Sequence, residues 1–183
     1  MNKNNIKKVI ASVSDKDFGI EEKINEKKPI VRFGARGIVF NQKGQMAVFV
    51  KELKNEYKLP GGGIDDGENP TDAFLRECVE EIGAEVEIGK FLGTIEEDKS
   101  QENFKQISFV FVGNVVKDLG KNNLTEKEKN ERAKVCWLDP ATALDKMKKS
   151  LLNLKASAYD NVYRTKFMVL RDIKILEYYL KNN

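Results

Sequence analysis

The sequence predicts an α/β fold, because β-branched and aromatic runs recur at Ile30–Phe40, Met46–Lys51, 86–95 and 107–116, a sharply bounded helix lies between the second and third runs, and two more helical patterns follow the fourth. At 183 residues the chain can bury a substantial core and suits one domain with terminal extensions. The expected division is an N-terminal arm over residues 1–29, a central domain over 30–150 and a C-terminal helical extension over 151–183 that packs on it.

Residues 1–29 are polar and rich in Lys and Asn, with scattered apolar positions at Ile6, Val9, Ile10, Phe18 and Ile20, so they read as an arm lying against the domain. The first two runs flank Asn41-Gln42-Lys43-Gly44, a hairpin signal. A short strand ends at Leu59. Pro60-Gly61-Gly62-Gly63 then reads as a loop, since three glycines permit positive φ or close approach to a ligand. The helix after it is marked by Asn69 as N-cap, Pro70 in its first position, Asp72 in its first turn and Gly83 as its stop.

The runs at 86–95 and 107–116 read as an antiparallel pair joined by the polar segment 96–105. Residues 121–134 are too charged for a strand, and 135–138 form a short one. Asp139-Pro140 caps a helix reaching about Lys149, with Ala143, Leu144 and Met147 inward. Val162, Val169, Ile173, Leu176 and Leu180 recur at helical spacing among Arg164, Lys166, Arg171, Asp172 and Lys174. That apolar stripe either packs on the domain or, with the arm, forms a homodimer contact.

The chain has no histidine, which removes Ser/His/Asp and Cys/His catalysis and zincin-type sites. Catalysis must then rest on carboxylates, lysines, tyrosines or hard metal ions. Cys78 and Cys136 lack C-x-x-C spacing and read as reduced packing residues, which suits a cytoplasmic protein. A formal net charge of +3 gives no polyanion-binding field, so no specific nucleic-acid binding is expected. The lysines of residues 1–8 precede no apolar signal region, and no apolar run is long enough to span a membrane.

Wound at about 100° per residue, Glu77, Glu80 and Glu81 fall in one arc of the helix, while Phe74, Leu75, Cys78, Val79 and Ile82 fall in the opposite one. Like charges at these spacings each cost a few tenths of a kcal/mol, and the dipole at a helix C-terminal half adds to the cost. A divalent cation with hard-oxygen preference reverses the sign of that arrangement. On its own, such an acidic face reads first as a solvated one, because charged helix faces are common.

The flanks decide between them. Gly62 is followed after five residues by Glu68, and Glu68 after seven by Arg76-Glu77-Cys78-Val79-Glu80-Glu81-Ile82-Gly83-Ala84. Chance would give that set of matches roughly once in 10⁸ positions or fewer. The segment resembles the Nudix box, with Cys78 and Ala84 standing where larger aliphatic residues are usual. The order of strands around it and the Trp137-Leu138-Asp139-Pro140 segment resemble the same family.

The resemblance implies a Nudix-like α/β/α sandwich with a mixed β-sheet, and hydrolysis of a pyrophosphate bond in a nucleoside diphosphate derivative, of nucleoside triphosphate or nucleotide-sugar type. It implies that Glu77 and Glu81 bind Mg²⁺, or Mn²⁺ in its place, most directly. Glu80 binds it directly or through water, and the Gly61 carbonyl is a further ligand. Arg76 orients Glu77, and Glu68 fixes the loop or supports a group that touches the metal. For a base or ligand outside the box, Glu131 is favoured by its spacing to Trp137, followed by Glu128 and then Glu96-Glu97-Asp98. Lys51, Lys58, Arg32 and Arg36 are candidates for phosphate contacts, and Phe104, Phe91, Tyr57 and Tyr163 for base stacking. The Pro and Tyr marks that some subfamilies carry after the box are absent, so the substrate stays open. A non-catalytic ligand-binding sensor on the same fold is the alternative.

Overall fold

Period-two alternation along the longest early strand assigns the two faces of the sheet. In β2 (Ile30–Phe40), Phe33, Ala35 and Val39 join one apolar cluster with Phe74, Cys78, Ile82, Phe109 and Phe111. Ile38 and Phe40 join the other, with Met147, Val169, Ile173 and Leu176. The computed structural model describes residues 8–159 and 161–183, so Ile6 of the expected arm lies outside the described residues.

Eight strands among the described residues form one mixed sheet. Besides β2 they are β1 (Val9–Ser14), β3 (Met46–Lys51), β4 (Glu56–Lys58), β5 (Gly61–Gly63), β6 (Ala84–Lys99), β7 (Phe104–Asp118) and β8 (Ala133–Leu138). The order is β1-β6-β7-β2-β3-β4, with β5 paired to β2 and β8 to β3. The pairs β1–β6 and β2–β7 are parallel, and the others antiparallel. Helix α1 (Pro70–Glu77) covers one face, and α3 (Pro140–Leu152) and α4 (Val162–Asn182) cover the other. The short α2 (Glu126–Asn130) precedes β8. This is the α/β/α sandwich with a mixed sheet that the sequence led us to expect. No helix among the described residues is long and apolar enough to cross a membrane.

Three segments differ from their sequence reading. Part of the arm is a strand of the sheet: β1 runs parallel to β6, Val13 is buried, and Phe18 lies 5.0 Å from the Phe167 ring of α4. Gly61–Gly63 is a strand rather than a loop, paired with Gly34, Ala35 and Arg36. Its glycines serve a close approach, since Gly61 has φ 139° and a Cβ there would strike β2. The polar segment 96–105 is mostly strand, and the chain reverses within Ser100–Asn103.

The third difference has a partner on α4. Arg171 and Asp172, read from sequence as part of a polar face, are buried at 1% and 0% exposure. Arg171 donates from Nη1 to Glu97 Oε2 (2.8 Å) and from Nε to Asp172 Oδ1 (2.7 Å), and Lys99 Nζ donates to Glu97 Oε1 (2.7 Å). Asp172 Oδ2 accepts from the Leu59 amide at 2.9 Å. Ionised groups are tolerated this deep because each faces an opposite charge. The network ties α4 to β6 and to the end of β4.

Burial pushes the Glu97 carboxyl up, but Arg171, Lys99 and Arg36 outweigh it and hold it at about 2. A carboxyl so depressed stabilises the fold above its unfolded value and loses that contribution as pH falls towards 2. We predict that Glu97→Gln lowers stability at pH 7 by on the order of 3 kcal/mol and flattens the loss of stability between about pH 4.5 and 2. Urea midpoints measured across that range check it, and an unaltered acid limb would remove Glu97 from the account.

Candidate active site

The acidic helix begins as its sequence prescribes. Asn69 Oδ1 accepts from the amides of Thr71 (2.9 Å) and Asp72 (3.0 Å), satisfying two of the free N–H groups of the first turn. Its end is less regular. After Glu77 the chain makes a π-helical turn over Cys78–Ile82, closed by Gly83 at φ 66°. A turn containing more residues rotates each of them by less, so the simple 100° wheel fails here. Glu81 is buried at 3% exposure, whereas Glu77 and Glu80 are only partly covered.

Each glutamate is held by a cation or an amide. Glu81 Oε1 accepts from Lys58 Nζ (2.6 Å) and Oε2 from the Gly61 amide (2.8 Å). Lys58 Nζ also donates to the Gly61 carbonyl at 3.2 Å. Burial pushes the Glu81 carboxyl above its ordinary range despite Lys58. Arg76 donates from Nη1 to Glu77 Oε1 (3.0 Å) and Glu80 Oε2 (3.1 Å), and from Nε and Nη2 to Glu68 (2.9 and 3.0 Å). Its Nη2 also reaches the Gly63 carbonyl at 3.0 Å. Glu68 in turn accepts from the Asp65 amide, so Arg76 and Glu68 clasp the segment between β5 and α1.

The sequence led us to expect Glu77, Glu80, Glu81 and the Gly61 carbonyl around one ion. Among the described residues no group of three or more acidic or Cys side chains is gathered closely enough to hold a metal as it stands. Arg76 holds Glu77 and Glu80, and Lys58 holds Glu81. The oxygen donors nonetheless suit a hard cation. Glu81 Oε1 and the Gly61 carbonyl already converge on one positive charge, the Lys58 ammonium.

These groups line a cleft of about 500 Å³. Its acidic members are Glu77, Glu80, Glu81 and Glu128, and its basic members are Arg32, Arg36, Lys51, Lys58, Lys127 and Arg171. A second cleft of about 440 Å³, lined by Asn41, Ile82, Val115 and Trp137 among others, holds none of the box glutamates. The charge-rich cleft is where a divalent cation and a polyphosphate can meet.

Glu131 is placed differently from its sequence reading. It is buried outside the cleft lining, with Oε2 3.0 Å from Lys51 Nζ and Oε1 accepting from Ser157 Oγ at 2.7 Å. Burial pushes its carboxyl up, but Ser157 and Lys51 hold it below the ordinary range. Its contact is therefore with a cleft lysine. Glu128 does line the cleft while capping α2 at Thr125. Glu97 is committed to Arg171 and Lys99. Phe91, Phe104, Tyr57 and Tyr163 are absent from the lining, and Phe91 packs with Phe109 and Phe111.

Sequence reasoning missed the grip of Lys58 on Glu81 and the arrival of Arg171 from α4. One signal for the latter was present: Asp172 stands three residues after Val169 and four before Leu176, on the apolar stripe itself.

The NUDIX domain family model matches residues 31–159. The chain is 32% identical over 98 residues to an 8-oxo-dGTP diphosphatase of Proteus vulgaris, covering 51% of this chain and 82% of that protein. It is 52% identical over 42 residues to an RNA pyrophosphohydrolase of Sulfurovum sp. (strain NBC37-1), covering 22% of this chain and 27% of that protein. Among solved structures, a NUDIX hydrolase from Nitrosomonas europaea aligns with a TM-score of 0.56 at 16% identity, covering 84% of this chain and 90% of its own. The MutT protein from Methanosarcina mazei Go1 aligns at 0.53 with 18% identity, covering 86% and 99%. At such identities the two structures show likeness of fold.

A Cβ on Gly62 would run into the Glu77 carboxylate, the mobile end of a side chain rather than backbone. Gly62→Ala is therefore expected to fold normally while displacing Glu77, weakening Mn²⁺ binding by about tenfold or more. Electron paramagnetic resonance titration beside a melting curve checks this, and wild-type Mn²⁺ affinity would remove Glu77 from the ligand set.

Proposed function

This chain belongs to the NUDIX domain family and is a Nudix pyrophosphohydrolase, and on that premise we propose that it hydrolyses the pyrophosphate bond of a nucleoside triphosphate, with Mg²⁺ or Mn²⁺ as cofactor. The observation that carries this reading is the two-signed cleft, in which the box glutamates face six basic side chains. The triphosphate is taken first because the 8-oxo-dGTP diphosphatase is matched over 82% of its length, whereas the match to the RNA pyrophosphohydrolase covers 27% of that protein.

In this reading Glu77, Glu80, Glu81 and the Gly61 carbonyl would hold the divalent cation, which would supply Lewis-acid neutralisation of phosphate oxygens for attack by water. Arg76 fixes the directions of Glu77 and Glu80. Lys58, sharing Glu81 and Gly61 with that position, has only to swing its flexible stem to meet a phosphate oxygen. Arg32, Lys51 and Lys127 add positive charge where the departing phosphate gathers negative charge. Glu131 acts through Lys51, holding that ammonium at the cleft wall. Glu128 is the acidic side chain in the cleft from outside the box and is the candidate to orient the attacking water.

Purified protein with Mg²⁺ is expected to release pyrophosphate or phosphate from at least one nucleoside triphosphate, and EDTA should abolish the release. A full panel of triphosphates, nucleotide sugars and dinucleotides left intact by folded protein would favour the ligand-binding sensor. Glu81→Gln is expected to lower kcat by roughly two orders of magnitude or more while the circular dichroism spectrum is retained. Undiminished kcat in that variant would take Glu81 out of the reacting site.

A further inference from the structure

The basic side of the cleft carries more charge than the fold neutralises. Arg36 and Arg171 are exposed by only 3% and 1%, and both line the cleft. With Lys99 they make three buried cations around two buried carboxylates, Glu97 and Asp172, and the next buried carboxylate of the cleft, Glu81, is already paired with Lys58. Arg36 Nη1 lies 4.0 Å from Asp172 Oδ1, an oxygen that Arg171 Nε already holds at 2.7 Å. Among the described residues, Arg36 Nε and Arg171 Nη2 have no hydrogen-bond partner. Burial and the neighbouring Arg171 guanidinium pull Arg36 down to about 10. Unsatisfied buried donors and an unmatched buried charge are both costly, and one anion entering the cleft relieves both.

We propose that Arg36 and Arg171 together form an anion subsite that takes the terminal phosphate of the substrate. The chain would thereby select substrates that end in a free phosphate over those that end in a neutral sugar. Planar guanidinium groups suit the task because each can present two parallel N–H donors to phosphate oxygens. Arg171 stands on α4, beyond the residues 31–159 that the family model matches, so this part of the cleft is contributed by the C-terminal helix of this chain. The subsite itself stands on the charge and hydrogen-bond pattern of the cleft. Only the naming of its ligand as a substrate end rests on the hydrolase reading.

Calorimetric titration with inorganic tripolyphosphate in EDTA tests the subsite without turnover. Wild-type protein is expected to bind it, and Arg171→Lys and Arg36→Gln each to weaken binding by about tenfold or more. Glu97→Gln, which removes a carboxylate and leaves the cations in larger excess, is expected to tighten it. A purely structural cluster would lower the melting temperature of all three variants and leave affinity unchanged, and that result, or no binding by wild type, overturns the proposal. If Arg171→Lys does not fold, Arg36→Gln and Glu97→Gln, moving affinity in opposite directions, still decide. With Mg²⁺ present, the preference in kcat/KM for a nucleoside triphosphate over UDP-glucose should fall by about tenfold in Arg36→Gln. Failure of hydrolysis leaves the titration standing, and failure of the titration leaves hydrolysis standing.

Discussion

Three carboxylates within five residues of one helix repel one another, and the site is organised around supplying them with positive charge. Arg76 takes Glu77 and Glu80, Lys58 takes Glu81, and the Gly61 amide completes the grip on Glu81. Each counter-charge fixes a piece of backbone as well. Arg76 reaches the Gly63 carbonyl and Lys58 the Gly61 carbonyl, so β5 is fastened to the acidic helix from both ends. The glycines allow this by leaving no side chain between the strand and Glu77. Electrostatic demand and backbone path are solved by the same contacts.

The sequence was most informative where local rules act alone. Asn69, Pro70 and Gly83 marked the start and stop of the acidic helix, and Asn41 to Gly44 marked the hairpin, because capping and turn chemistry depend on a few neighbouring residues. The box spacing located the acidic cluster and carried the family. Local rules stopped at Cys78, where the helix widens into a π turn. No pattern in residues 78–82 announces that change, and it separates the environment of Glu81 from that of Glu77 and Glu80.

Long-range pairing was the part that could not be read. Gly61 to Gly63 reads as a loop in isolation and becomes a strand only because β2 offers Gly34 and Ala35 opposite it. Glu97, ranked third as a base or ligand outside the box, and Lys99, within the polar segment 96–105, find their role only with Arg171, more than seventy residues later in the chain. Glu131 was singled out by its distance from Trp137, but spacing along a chain carries no information about Lys51 and Ser157, which hold it. Each of these turns on a partner distant in sequence, which composition and periodicity do not specify.

The hydrogen bond from the Leu59 amide to Asp172 has a wider consequence. Leu59 stands two residues before Gly61, whose amide grips Glu81, and Asp172 is the neighbour of Arg171 and is bonded to it. A short, buried path of hydrogen bonds and covalent bonds therefore joins the acidic and basic walls of the cleft, with no solvent-exposed hinge between them. The separation of the two walls is thus tied to the backbone of residues 59–61 and to its bond with the C-terminal helix. In effect the C-terminal helix sets how far the basic wall of the cleft stands from the acidic one.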